Sequence, residues 1–308
     1  MVVAGIGEAL WDYLPEGRKL GGAPTNFAFH CAQLGMKSYA VYAVGKDELG
    51  DEILQVCKEG GLNVVAPQVP FPTGTVRVSL DDKGVPVYDI CKDVAWDHIP
   101  YTQEMQALAK YTDAVCWGTL AQRSSESRTT IARFLADMPE TAWRVFDINL
   151  RQNFYNLKII VDSLEACNIL KINGEELVLL CRLLPFLSDG VPAITNDYND
   201  IDFQTKCRSI IARYRLEMLV LTCGEQGSYV FLPDGAISFQ PTPIVTVVDT
   251  VGAGDSFTAA FVSALLSGKD VSEAHELAVR ISAYVCTQQG AMPQIPEELR
   301  SACVSDTD

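Results

Sequence analysis

The sequence has no excess of basic residues, no paired-cysteine motif and no long apolar run. Lysine and arginine number 24 against 39 acidic residues, a net charge of −15. So acidic a surface repels phosphate backbones and anionic lipid, which excludes nucleic acids and membrane surfaces as general partners. A small anion in a local pocket is not excluded, because backbone amides can reverse the field there. The ten cysteines stand singly, with no C-x-x-C pair and no Cys/His cluster at zinc spacing. Most lie in apolar stretches, such as Cys116 between Val115 and Trp117, so they are expected to be reduced and buried, as in a cytoplasmic protein. Met1 to Gly7 lacks the basic segment and small-residue cleavage site of a signal peptide. No apolar run approaches the roughly 20 residues needed to span a bilayer. The longest candidate, Leu177 to Leu187, is interrupted by Arg182 and Pro185.

Two phosphate-binding signatures are also missing. Gly5-Ile6-Gly7 would open a dinucleotide fingerprint, but Leu10 stands where its third glycine belongs. No Gly-Lys-Ser/Thr follows the later glycines, so there is no P-loop. Neither an internal repeat nor a low-complexity linker interrupts residues 1–308, which are expected to form a single domain.

What is present alternates. Strands are predicted at 2–6, 38–44, 114–117, 143–148, 168–172 and 218–222. Helices are predicted at 25–34, 48–59, 125–137, 157–166, 174–182 and 200–213. This order implies an α/β fold with a mainly parallel sheet and helices on both faces. Residues 74–90 break the alternation and read as a β-hairpin turning at 81–84, and 9–20 reads as a second short β stretch turning at Pro15-Glu16-Gly17. Two such excursions suggest a small β lid built from about 9–20 and 74–95. A polar loop is expected at 188–200 and fraying at the last eight residues.

The segment 246–268 carries the chemistry. Phe257, Phe261, Ala264 and Leu265 recur at helical spacing, so Gly252-Ala253-Gly254-Asp255 sits at a helix N-terminus. Small residues let a ligand approach the backbone, and the free N–H groups and helix dipole favour an anion. An acid in the same turn can take a proton from a hydroxyl while the amides hold a phosphoryl group. A tight turn capped by Asp255 would use the same residues. A second glycine-rich helix start lies upstream at Gly21-Gly22-Ala23-Pro24-Thr25-Asn26, where Asn26 can both donate to and accept from a polyol. An ordinary turn and cap is the alternative there. The three histidines, His30, His98 and His275, show no ligand or triad spacing and are expected to be structural.

Taken together, the two segments resemble the N-terminal and C-terminal signatures of the ribokinase-like (PfkB) carbohydrate kinases. The resemblance continues through Glu8 to Asp12, Asp147-Ile148-Asn149-Leu150-Arg151, Lys171-Ile172-Asn173-Gly174-Glu175-Glu176 and Leu221 to Gly227, and so covers nearly the whole chain. It implies a three-layer α/β/α ribokinase-like fold with a small β-sheet lid, and an ATP- and Mg2+-dependent sugar kinase. It assigns Asp12, Asn26 and the Gly21-Gly22 backbone to the sugar, and Arg151 to sugar or phosphate. Asp255 becomes the base, with Gly252, Ala253 and Gly254 around the transferring phosphoryl group. Asn173, Thr222, Gly224, Gly227 and Gly254 fall on the nucleotide side, and Glu176 reaches magnesium through water. Asp249 and the carbonyl of Val251, beside the loop at 285–294, stand where many members bind a monovalent cation such as K+. Gln294 departs from the small hydroxyl residue frequent in that loop.

Within the family, Gly22-Ala23-Pro24-Thr25-Asn26 followed by Asp-x-Asn-Leu-Arg looks most like the fructokinases. Ala23 replaces the lysine that ribokinases tend to carry. Kinases of 2-keto-3-deoxygluconate share some of these features, and a nucleoside or aminosugar kinase is a further alternative. A non-catalytic sugar-binding regulator is the reading from a different class, and loss of Asp255 would have favoured it. A homodimer through the lid is expected from an exposed sheet with apolar faces.

Overall fold

The computed structural model describes residues 1–14, 17–80, 86–187 and 201–303. Among these, the strands in chain order are β1 (Val2–Ile6), β2 (Leu10–Leu14), β3 (Gly17–Gly21), β4 (Lys37–Val41), β5 (Val44–Gly45), β6 (Asn63–Val65), β7 (Gln68–Val69), β8 (Gly74–Leu80), β9 (Pro86–Ile90), β10 (Ala114–Trp117), β11 (Trp143–Asp147), β12 (Ile169–Asn173), β13 (Met218–Thr222), β14 (Ser228–Phe231) and β15 (Ile237–Gln240). The helices are α1 (Ala23–Gln33), α2 (Glu48–Glu59), α3 (Gln103–Ala109), α4 (Ser125–Asp137), α5 (Leu157–Ala166), α6 (Gly174–Leu183), α7 (Ile201–Tyr214), α8 (Ala253–Leu266), α9 (Val271–Cys286) and α10 (Glu297–Ser301).

The main sheet runs β15-β14-β13-β12-β11-β10-β1-β4-β6. From β13 to β6 every pairing is parallel, and β14 and β15 add an antiparallel edge. The parallel strands read as apolar runs because helices cover both faces. Ile169 on β12 packs in the core shared with α1, α8 and α9, whereas its neighbours Leu170 and Ile172 face the opposite core with α4 to α7. The three-layer expectation is met. So are the bounds of α2, α4 and α5, each fixed by an acceptor side chain before the first turn: Asp47, Ser124 and Asn156. The strand expected at 38–44 divides, because Val44–Gly45 leaves the main sheet to pair with β7. The antiparallel edge and α9 go beyond the predicted elements. The polar loop expected at 188–200, the turn at 81–84, Pro15, Glu16 and residues 304–308 lie outside the described residues.

A separate sheet of order β3-β2-β8-β9 grows from both predicted excursions. Trp11 and Leu20 anchor it in a buried cluster with Phe29, Tyr42 and Ile53, and the Trp11 indole donates to Leu49 O at 3.0 Å. Its far end is anchored by Arg123, which donates to both Asp97 oxygens at 2.8 Å and stacks 3.9 Å above Trp96. Trp96 is therefore a packing residue, and Arg77 faces solvent. All ten cysteines are free. His30 and His275 are buried and bonded, to Ala291 O and to Ser228 and Ser238. Among the described residues no helix is long and apolar enough to cross a membrane.

Candidate active site

The carboxyl ends of β1, β10, β11 and β12 converge on the start of α8. In an open α/β sheet this is where ligands bind. Gly252 precedes α8 at φ 79°, and a Cβ there would stand 2.7 Å from Ala291 Cα, so the position admits glycine alone. No side chain caps the helix. Ala253 N bonds Thr250 O, whereas among the described residues the amides of Gly254 and Asp255 donate to no acceptor. A helix start with unoccupied amides is a ready anion site.

The second glycine-rich start lies against the first. Gly22, at φ 118°, opens α1 without a side-chain cap, and a Cβ there would run into Glu8 O. One turn on, Asn26 donates Nδ2–H to Asp255 Oδ2 at 2.7 Å, across 229 residues of sequence. Asn26 is 4% exposed, yet its Oδ1 is buried without a partner. Gly21 sits against Asp12, whose carboxylate occupies the space a side chain would need.

Acids crowd this junction. Burial raises Asp255 to about 6, opposed by the Asn26 hydrogen bond. Burial also raises Glu8 to about 7 and Asp12 to about 6, and in both cases the Arg151 guanidinium opposes the rise. Arg151 itself is exposed and bonds only its own loop, at Leu150 O, among the described residues. It is a cation facing the acids without being paired to one. An acid that titrates near 6 is well suited to accept a proton at neutral pH.

The residues expected on the nucleotide side lie along the next strands. Asn173 and Thr222 are register partners on β12 and β13. Asn173 and Glu176 form a reciprocal cap: Glu176 N donates to Asn173 Oδ1 and Asn173 N to Glu176 Oε2, both at 2.9 Å. Glu176 Oε1 accepts from Leu150 N at 3.0 Å, so both its oxygens already hold amides. Gly224 and Gly227 form the tight turn between β13 and β14, both at positive φ. Asp249 ties two loops together, accepting from Val251 N at 3.0 Å and Gly290 N at 2.9 Å. Among the described residues no group of three or more acids, histidines or cysteines is arranged to cage a metal.

The structure adds a pair to which the sequence gave no role. Lys171 and Asp147 are buried and joined at 2.8 Å, and Thr258 of α8 donates to the same Asp147 oxygen at 3.4 Å. The available signal was a charge at the end of each apolar strand, in Arg-Val-Phe-Asp and Ile-Leu-Lys-Ile. A residue that alternation directs at a covering helix is seldom charged without a reason.

The description of the pfkB family carbohydrate kinases matches residues 17–298. A curated fructokinase of Salmonella typhimurium is 29% identical over 311 residues, covering 94% of this chain and 95% of that protein. Among solved structures, a 2-dehydro-3-deoxygluconokinase from Thermotoga maritima superimposes with a TM-score of 0.81 at 18% identity, covering 98% of this chain and 99% of its own. A double-mutant fructokinase from Vibrio cholerae O395, with fructose, ADP and potassium bound, gives 0.77 at 22% identity, covering 99% and 98%.

Proposed function

The chain belongs to the pfkB family of carbohydrate kinases, and from that premise we propose that it phosphorylates D-fructose from ATP, giving fructose 6-phosphate, with Asp255 as the base. The observation that carries the reading is the Asn26–Asp255 contact: a half-buried carboxylate held in the first turn of an uncapped helix, its titration raised by desolvation to about 6. The fructokinases among its relatives favour the hexose.

In this mechanism Asp12, Asn26 and the Gly21-Gly22 backbone orient the sugar hydroxyls, and Arg151 meets sugar or phosphate. The attacking hydroxyl gives its proton to Asp255. Its oxygen bonds the γ-phosphorus as the bond from that phosphorus to the β–γ bridging oxygen breaks, and ADP departs with the electron pair. The free amides of Gly254 and Asp255, following the Gly252-Ala253 turn, stabilise charge on the moving group, and that of Ala253 joins them by releasing Thr250 O; one such preorganised donor is commonly worth roughly 3–4 kcal/mol. Thr222, Gly224 and Gly227 shape the nucleotide side beside Asn173. Closure of the small sheet over the sugar would exclude water and limit wasteful ATP hydrolysis.

Magnesium would enter with ATP and neutralise phosphate charge. Glu176 fits a role through bound water rather than as a direct ligand, because both its oxygens already accept amides. A potassium ion would suit the junction that Asp249 ties, with the Val251 carbonyl beside it.

The test is ADP release with ATP and magnesium over fructose, ribose, 2-keto-3-deoxygluconate, glucose and adenosine. Fructose-dependent turnover lost in Asp255→Asn supports the whole reading. Preference for another sugar keeps the base and moves the substrate. No sugar-dependent turnover across the panel defeats the kinase mechanism and favours a sugar-binding regulator.

A further inference from the structure

Lys171 stands behind the anion-binding turn rather than in front of it. Strand alternation points it, with Asp147, at the face covered by α8, while Leu170 and Ile172 serve the opposite core. Its Nζ lies 3.1 Å from where a Cβ on Gly254 would be, so the ammonium abuts the first turn of α8 and fills the space that the glycine leaves. An ammonium has three donors. Among the described residues Asp147 Oδ2 is its one hydrogen-bond acceptor, at 2.8 Å. The acceptor side of the pair lies deeper, 3.4 Å from Thr258 Oγ1, one helical turn beyond Gly254. The pair therefore runs along α8 in the sense of the helix dipole, positive toward the N-terminus. Burying such a pair is a poor way to gain stability, since apolar residues of similar volume often serve as well. Its position at the uncapped start of α8, beside the proposed base, points elsewhere.

We propose that Lys171 is a positioning residue for phosphoryl transfer: its buried ammonium adds fixed positive charge behind the Gly254 turn and so stabilises the phosphoryl group gathered there. The proposal rests on the assignment of that turn and of Asp255 given above. The charged and titratable groups around it are Cys116 on β10, Asp147, Glu176 and Asp255, and Glu8 and Arg151 act in turn on Asp255.

The decisive variant is Lys171→Met with Asp147→Asn. It removes one charge of each sign, so the field at Asp255 changes little while the oriented pair is lost. Expected is a fall in kcat of about 30-fold with the sugar KM unchanged, and an acidic limb of kcat/KM that stays in place. A melting temperature near that of the parent would show that the fold is kept. If the double variant does not fold, Lys171→Gln with Asp147→Asn, which is also charge-balanced and lets the two amides hydrogen-bond each other, is read in the same way. Recovery of kcat to within about threefold of the parent would mean that the lysine only neutralises Asp147, and the proposal fails. It also fails if the lost rate returns on raising the pH, because the lysine would then act on Asp255 instead. Asp255→Asn, run alongside, separates these outcomes from failure of the base assignment itself, which would show as retained turnover in that single variant.

Discussion

Two helix starts lie near the carboxyl end of β12, on opposite faces of the main sheet, and are built in opposite ways. α6 begins with Asn173 and Glu176 capping each other, so its first amides are occupied by its own side chains. α8 begins with Gly252-Ala253-Gly254 and no side-chain cap. α2 and α9 follow the first pattern through Asp47 and Asp270, and α1 follows the second through Gly22. A self-capped start is complete as a piece of structure. One that begins on an uncapped glycine is less stable by only about 0.3 kcal/mol and keeps its donors for something else. Among the helices of eight or more residues whose starts are described, the two uncapped ones, α1 and α8, are the two that touch through Asn26 and Asp255.

The comparison breaks most easily at Asp255. Asp255→Asn keeps the shape and removes the base, and steady-state assays should show turnover lower by at least about 100-fold. If activity survived, the uncapped turn would be a binding feature alone. Gly252→Ala comes next. It forces a side chain into the left-handed region and against Ala291, and should cost about 30-fold in kcat together with about 1–2 kcal/mol of stability in thermal melts. A parent-like Gly252→Ala would show that the turn tolerates a side chain and is not built for close approach.

Acidity should sharpen the contrast. Because burial raises Asp255 to about 6, its carboxylate is protonated as pH falls through that value, and the base is lost on the acid side. A plot of log kcat/KM should be level above about pH 7 and fall about tenfold per unit below about pH 5. Asp12, also raised to about 6, would steepen the limb. A profile level down to pH 4 would remove Asp255 from the chemistry. The smallest effect is expected at the self-capped start. Asn173→Ala should lower stability by about 1 kcal/mol and change kcat by no more than about threefold. A loss as large as that of Gly252→Ala would erase the distinction between the two starts.

Much of this was legible from residues alone. The alternation of apolar segments gave α2 and α5, and the glycine-rich segments at 21–22 and 252–254 marked both uncapped starts. Local chemistry fixes such features, because caps and turns act within a few residues. The antiparallel edge was not legible: Ser228–Phe231 and Ile237–Gln240 are short apolar runs that fit several sheet positions equally well. The small sheet was visible as two hairpin-like stretches, but the parallel pairing of β2 with β8 that makes them one sheet was not. Lys171 and Asp147 were visible as members of two family-like segments, but their pairing with each other was not.

The sequence by itself determined the alternating α/β layers, the acidic surface, and the two places where a helix begins on glycine with a polar residue in its first turn. Those depend on composition, periodicity and backbone freedom, which act over short spans of chain. Only the tertiary structure decided that Asn26 meets Asp255, that Glu8, Asp12 and Arg151 share one field, and that Lys171 backs the turn at Gly254. Those relations rest on strand order and on how α1 and α8 pack over the sheet. Burial then turns ordinary carboxylates into groups that titrate near neutral pH, because the low-dielectric junction disfavours their charged form.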